Sequence, residues 1–216
     1  MIVNTTAIVL KTFPYGETSL ISRCFTKEKG KISFIIKGAQ SKKNLLSPYF
    51  QPLSYIQIIY NENAKRELQI ISKVNFVNIW LKIPNSLKKM TLLQSILEIT
   101  DFTLEKNDPH PGLFNILIEA INYFENNQFK ENLIFWFYEC ELLSELGFRI
   151  DLKNNGENKY DITSSKIEGE SLIILKHLLN RSIEQVKFDK ILKKDKRIIS
   201  NSKFHIYFFH YFSNQF

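Results

Sequence analysis

The spacing of apolar residues changes near residue 80, and this change restricts the chain to an α+β architecture. Up to that point apolar residues recur at every second position, and Gly, Pro, Asn or Ser interrupts them every eight to twelve residues or so, as in strands. From Pro84 onward the apolar spacing is that of helices. The sequence therefore predicts a strand domain over residues 1–80 and a helical domain over residues 81–216.

Five short strands are predicted in the first domain, which favours a small closed barrel. Tyr15-Gly16 and Lys29-Gly30 provide the turns on either side of the second strand. The segment Gly38–Phe50 is too polar for a core and is predicted to be an exposed loop. The predicted strands are Ile2–Thr12, Ser19–Thr26, Lys31–Lys37, Pro52–Tyr60 and Glu67–Val77.

The second domain is predicted to contain six helices. The third of them is apolar nearly all round, which indicates a central buried helix. Residues 151–169 have no strong periodicity and are predicted to form an irregular insertion. The predicted helices are Ser86–Lys106, Pro111–Asn126, Glu131–Leu146, Glu170–Asn180, Glu184–Lys193 and Ser200–Phe212.

Positive charge is concentrated at the two ends of the chain. The chain has a formal net charge of +7, and residues 1–80 hold 11 Lys and Arg against 4 Asp and Glu. Residues 81–148 hold 5 against 10, and residues 149–216 hold 13 against 8. This distribution predicts two cationic surfaces that flank an acidic helical block, and it favours an anionic partner such as nucleic acid.

A longer pattern carries a family resemblance. Residues 7–43, AIVLKTFPYGETSLISRCFTKEKGKISFIIKGAQSKK, resemble the N-terminal OB domain of the RecO family in the order and spacing of VL, PxxE, FTxxxGK and KGAxSKK. Gln51-Pro52-Leu53, PHPGLFNILIEAINYF and ELLSELGF resemble later segments of the same family. The matching segments span residues 7–148, about two thirds of the chain.

The resemblance implies an OB-fold barrel followed by a helical domain, in a protein that binds single- and double-stranded DNA. It also implies annealing of complementary strands, assistance in loading recombinase, and RecR and single-stranded-DNA-binding protein as partners. Many family members have a four-cysteine zinc motif after the LGF segment. Here Leu146-Gly147-Phe148 is followed by no cysteine, so we expect no zinc and no other cofactor.

The family's groove for the acidic tail of single-stranded-DNA-binding protein uses basic residues just before a helical motif. In this chain the equivalent stretch is the sequence WFYE, residues 136–139. We expect its three aromatic residues to be buried. The tail would then have to bind elsewhere, for instance at Lys130 or Lys89.

Several residues in the first domain are candidates for binding DNA. Loops and the adjoining strands of OB-folds form the usual nucleic-acid groove, where cations bind phosphates and aromatic side chains stack on bases. Each group also has an interpretation that does not involve DNA. The loop cations are typical of an ordinary solvated loop, and the strand cations could protect a sheet edge. Tyr15 could cover the end of the barrel. The candidates are Lys37, Gln40, Lys42 and Lys43 in the loop, Arg23, Lys31 and Lys73 on strands, and Tyr15 in a turn.

No motif for catalysis is present in the sequence, so an enzyme is not predicted. His205 and His210 are five residues apart, whereas a spacing of four keeps two metal ligands on one face of a helix. A metal site is therefore not predicted there. The run from Lys190 to Arg197 is a second possible phosphate-binding patch, although a solvated helix end is the favoured interpretation.

The sequence lacks an apolar run of transmembrane length and a charged signal region, which predicts a cytoplasmic protein.

Two other functions remain open from the sequence. The chain could be an adaptor that contacts proteins and reaches DNA only through them, with its loop and acidic helical block as docking surfaces. It could also be an RNA-binding OB module of the translation apparatus, which would prefer structured RNA.

Overall fold

The computed structural model describes residues 1–41, 46–148, 153–154, 160–162, 165–167 and 169–181. The chain divides into two compact units, Met1–Glu145 and Leu146–Phe216. The first unit contains a barrel and three helices. The α+β class and the N-terminal five-stranded barrel are confirmed, whereas the domain bounds 1–80 and 81–216 stay a prediction.

The first unit begins with five strands that close into a barrel. The order around the barrel is β1-β2-β3-β5-β4, and β4 pairs with β1 to complete the circle. All pairs are antiparallel except β3 with β5, which is the connectivity of an OB-fold. The strands are β1 (Ile2–Tyr15), β2 (Ser19–Thr26), β3 (Gly30–Ile36), β4 (Tyr55–Asn61) and β5 (Leu68–Asn78).

Side chains alternate between the inside and the outside of the barrel along each strand, and those that point inward are mostly apolar. Ile32, Phe34 and Ile36 of β3 point inward, and the rings of Phe34 and Tyr60 meet edge to face at 5.2 Å. The β4 strand begins at Tyr55 rather than at the predicted Pro52. The reason is that Leu53 has a φ of 77°, which is incompatible with a strand.

Three helices complete the first unit: α1 (Leu87–Thr103), α2 (Pro111–Asn126) and α3 (Glu131–Glu145). The Ser86 side chain caps α1 by accepting a hydrogen bond from the backbone N–H of Lys89, and Pro111 opens α2. Nine of the 15 residues of α3 are buried, so the prediction of a central buried helix is confirmed.

Side-chain contacts hold the helices and the linker against the barrel. The rings of Phe25 on β2 and Phe114 on α2 lie 5.4 Å apart, edge to face. Trp80 donates its indole N–H to the Leu53 carbonyl oxygen at 3.1 Å. The carboxylate of Glu125 on α2 accepts the backbone N–H groups of residues 81–83 at 3.0 to 3.1 Å, which fixes the linker between barrel and helices.

The second unit contains short strands where the sequence indicated an irregular insertion. Strands β6 (Lys153–Asn154), β7 (Tyr160–Ile162) and β8 (Ser165–Ile167) form an antiparallel sheet, and α4 (Gly169–Leu179) follows. Strands of two or three residues are too short to produce a recognisable period-two pattern. The helices predicted over 184–193 and 200–212 lie outside the described residues.

Candidate nucleic-acid interface

Three cations lie close together on the outer side of the barrel: Lys11 on β1, Arg23 on β2 and Lys31 on β3. We call them the cation triad. Lys11 and Arg23 are directly opposite each other across the β1–β2 pair. Lys31 is opposite Phe25, two residues from Arg23 along β2. Cations in directly opposite positions destabilise a sheet unless an anion neutralises them.

A β-bulge turns Lys11 to the outer side. Val9 faces the barrel interior, and strict alternation would also point Lys11 inward. The pairing register shifts between Val9 and Lys11, so that Lys11 pairs with the outward-facing Arg23. Sequence reasoning missed Lys11 as a site residue because a bulge has no clear sequence signal. The one indication in the sequence was that Lys11, a charged residue, occupies a position where alternation from Val9 predicts an inward-facing apolar residue.

One carboxylate, that of Asp101 on α1, contacts two members of the triad. Arg23 Nη2 lies 2.8 Å from Asp101 Oδ2, and Lys31 Nζ lies 3.7 Å from Asp101 Oδ1. The Lys31 ammonium group also donates a hydrogen bond to the Asp101 backbone carbonyl oxygen. The guanidinium group of Arg23 lies 5.9 Å from the ring centroid of Phe13, within cation–π range.

Lys31 is therefore built into the packing of the barrel against α1. Only 9% of the residue is exposed. Burial lowers its pKa, and the charge of Asp101 opposes that shift. Its position explains why a lysine is tolerated there, and the DNA-binding role predicted for it stays a prediction.

A cleft of about 430 Å³ opens beside the triad, between the outer side of the barrel and α1. All three triad cations line it, together with Asp101 and the exposed ring of Phe102. Lys11 is exposed at this cleft and has no ion-pair partner among the residues that the structure describes. The cleft thus holds more positive charge than its nearest carboxylate neutralises.

The structure brings Gln40 of the predicted loop against the β1–β2 turn. The backbone N–H of Gln40 donates to the Thr18 carbonyl oxygen at 2.9 Å, and its side-chain amide donates to the Ser19 carbonyl oxygen at 2.8 Å. Lys37, which directly follows β3, is exposed, and Tyr15 is 51% exposed at the end of β1. These three predicted residues therefore lie at one end of the barrel, with Arg23 further along β2.

Of the three remaining predicted residues, the structure describes one. Lys42 and Lys43 lie outside the described residues. Lys73 is exposed on β5, opposite Ile59 of β4, and the strand order places that pair on the other side of the barrel from β2.

The stretch Trp136 to Tyr138 is buried, as predicted. The hydroxyl groups of Tyr138 and Thr100 share a hydrogen bond of 2.6 Å, and burial raises the pKa of Tyr138 well above its ordinary value. Lys89, suggested from the sequence as a binding point for an acidic tail, is only 6% exposed, and its ammonium group donates to the Phe124 carbonyl oxygen at 2.6 Å. That suggestion was wrong, because Lys89 caps the C-terminal end of α2.

Among the described residues, no group of three or more His, Cys, Asp or Glu side chains is placed to hold a metal ion. Within the same part of the chain, no helix has the length and apolar character needed to span a bilayer. Cys24 and Cys140 are buried and free, and burial raises the pKa of both thiols, that of Cys24 to about 12.

Two family descriptions match nearly all of the barrel and helices. "Recombination protein O N terminal" matches residues 1–80, and "Recombination protein O C terminal" matches residues 84–194. The chain belongs to the RecO family. The family's N-terminal domain is matched by the residues that form the closed barrel and carry the triad.

Curated relatives bear the same family name. The DNA repair protein RecO of Salinibacter ruber is 31% identical over 146 residues, which are 68% of this chain and 56% of the relative. The protein of that name from Chloroherpeton thalassium is 30% identical over 156 residues, which are 71% of this chain and 59% of the relative. The chain therefore matches less than two thirds of the length of these RecO relatives.

Proposed function

We propose that this chain is a non-enzymatic DNA-binding protein of recombinational repair that anneals complementary strands and assists recombinase loading. One observation carries the proposal: the closed barrel of a RecO family member has cations on the outer side of β1, β2 and β3 in excess of the neighbouring carboxylate. OB-folds bind oligonucleotides on this side, with the adjoining loops. The function carried by the name of the relatives, DNA repair, agrees with it.

The proposed mechanism is electrostatic. Cations along the barrel neutralise phosphates of two strands, which reduces the repulsion between the strands and lets complementary sequences pair. This mechanism requires no nucleotide hydrolysis. The proposed contacts run from Tyr15, Lys37 and Gln40 at one end of the barrel to Arg23, with Lys42 and Lys43 as further phosphate contacts.

We propose a RecR-like protein and single-stranded-DNA-binding protein as partners, in the cytoplasm. Because Trp136 to Tyr138 and Lys89 are buried, the acidic tail of the second partner would have to bind other residues. Binding of a tail peptide to the purified chain at low salt tests this contact. A peptide that shows no binding would contradict the tail contact and leave the DNA-binding proposal intact.

The DNA proposal is tested with the purified chain alone, by titrating a fluorescent single strand and the matching duplex at several salt concentrations. We expect binding that weakens steeply with salt. In the triple variant Lys37→Ala, Lys42→Ala and Lys43→Ala, the salt slope should fall by about 2 to 3 units, since each phosphate contact contributes roughly 0.7 to 0.9. Strand annealing should decrease in parallel with affinity.

A matched control removes the same charge from the helices: Lys82→Ala, Lys88→Ala and Lys130→Ala. It should keep the wild-type salt slope, because these lysines lie at the linker and the helix ends rather than on the barrel. Absence of DNA binding by the wild-type chain would contradict the proposal and favour an adaptor that reaches DNA through a partner. A strong preference for structured RNA would instead favour the translation module.

A further inference from the structure

The charge balance of the cation triad points to a binding site that the family match does not assign. Three cations meet on one patch of the barrel, and Asp101 accompanies two of them. Glu98, the other carboxylate that lines the cleft, lies beyond ion-pair distance of all three cations. Lys11 and Arg23 therefore form a like-charge cross-strand pair in which only Arg23 has a carboxylate partner among the described residues.

The donors that remain on this pair are suited to an oxyanion. Arg23 uses Nη2 for Asp101, and its Nε is buried without a hydrogen-bond partner among the described residues, so a ligand in the cleft can reach only the outer guanidinium N–H groups. An arginine with one edge fixed by a carboxylate can present its other donors to a phosphate in a defined orientation. Lys11 is exposed beside it and supplies a second, mobile positive charge.

Asp101 is the permanent counter-ion in this arrangement rather than a competitor for the ligand. Its side chain is 11% exposed, and it compensates Lys31, whose side chain is equally enclosed. Displacement of Asp101 would leave the Lys31 charge buried without a partner, at a large cost in free energy. A ligand anion must therefore bind on the open side of the pair, next to Lys11.

The cleft also offers a surface for a base. Phe102 follows Asp101 in α1, lines the same cleft and is 58% exposed. An exposed aromatic ring next to a phosphate site is the arrangement by which proteins stack single-stranded bases. A base in a duplex is already stacked and paired, so its face is unavailable to such a ring.

We propose that the cleft between the barrel and α1 binds one nucleotide of a single DNA strand, with its phosphate on Lys11 and Arg23 and its base against Phe102. This inference rests on the proposed DNA-binding function and adds a specific subsite to it. Phosphate contacts alone would bind single-stranded and duplex DNA alike. The subsite therefore gives the chain a preference for single strands.

Lys11→Ala tests the phosphate half of the subsite. In salt titrations with a fluorescent oligothymidine, we expect the variant to lose about 0.7 units of slope and about three- to tenfold in affinity at low salt. Lys82→Ala, which removes an exposed lysine from the linker, should leave both quantities unchanged. In the double variant Lys11→Ala, Arg23→Gln, the salt slope should decrease by the contribution of about one phosphate contact rather than two. The reason is that both side chains bind the same phosphate.

Phe102→Ala tests the base half. We expect a loss of about five- to tenfold in affinity for the single strand and no change for the duplex. Leu87→Ala is the matched control, because it removes an exposed apolar side chain from the other end of α1 and should change neither affinity. Equal losses for single strand and duplex in Phe102→Ala would overturn the placement of the base.

The outcomes separate the subsite from the proposed function. If the wild-type chain binds with a steep salt slope and Lys11→Ala keeps that slope, the subsite is wrong and the DNA-binding function stands. If the wild-type chain binds no DNA, the proposed function itself fails. Thermal melting of each variant shows whether a loss of affinity reflects a loss of folded protein, and Lys11→Ala should melt at the wild-type temperature because Lys11 is exposed.

Discussion

The two sides of the barrel differ in charge and in what covers them. The outer side of β1, β2 and β3 carries the cation triad and packs against α1 and α2. The outer side of β4 and β5 is more open, because most residues of β5 are exposed, although Tyr55 at the start of β4 lies against Phe114 of α2. Amides and apolar residues predominate there, with Gln57 donating to the Asn4 side chain at 3.1 Å and Lys73 exposed. The comparison supports the proposal that nucleic acid binds on the partly covered side, where cations exceed anions and a cleft remains open.

The covered side also depends on a close approach of backbones. Gly30 begins β3 with a φ of +69°, and a Cβ there would lie 2.1 Å from the Asp108 carbonyl oxygen. Gly30→Ala should therefore destabilise the fold by about 3 kcal/mol or more, as strain and overlap combine. Gly16 has a φ of +60° and open space around it, so Gly16→Ala should cost only about 1 kcal/mol.

Urea unfolding of the two glycine variants measures this contrast. Equal losses of stability would contradict the close approach of the Asp108 backbone to Gly30.

The second prediction concerns the ion pairs that join the triad to α1. Asp101→Asn leaves the enclosed Lys31 without a counter-ion and should lower the free energy of unfolding by about 2 to 3 kcal/mol. The control Glu131→Gln breaks the exposed Lys88–Glu131 pair and should cost less than about 1 kcal/mol. If thermal melting shows the two variants to be equally stable, Asp101 is not the counter-ion that holds this side of the barrel to the helices.

The third prediction concerns the linker that positions the helices on the covered side. Hydrogen bonds from the backbone of residues 81–83 lower the pKa of the Glu125 carboxyl from its ordinary 4.5, against the effect of burial. A carboxyl with a lowered folded-state pKa stabilises the fold above its unfolded pKa, and this contribution is lost as pH falls through the folded value. Glu125→Gln should therefore be less stable than wild type at pH 7, by about 1 kcal/mol.

Unfolding of wild type and Glu125→Gln in urea between pH 7 and pH 3 provides the measurement. The difference between them should persist above about pH 5 and shrink below the ordinary pKa of 4.5. A difference that is independent of pH would show that the charge of Glu125 does not contribute.

Much of the fold was predictable from the sequence because long segments with one apolar period define strands and helices. The strand β2 and the helix α2 have the bounds predicted for them. The bulge at Lys11 and the contacts of Asp101 were not predictable, since both depend on pairing between residues far apart in the chain. For the same reason Lys31 looked like a surface cation in the sequence, although a carboxylate from α1 encloses it.

The smallest expected effect is that of Lys73→Ala, which tests the open side of the barrel directly. Lys73 was a candidate for DNA binding by its position on a strand, and it is exposed on β5 on the opposite side of the barrel from Arg23. One cation on a largely neutral surface attracts a phosphate weakly, so single-strand affinity at low salt should fall by less than about twofold, against about three- to tenfold for Lys11→Ala. Both variants lose one positive charge, so a general change in net charge would affect them equally. A loss for Lys73→Ala as large as that for Lys11→Ala would show that the strand wraps around the barrel and contacts both sides.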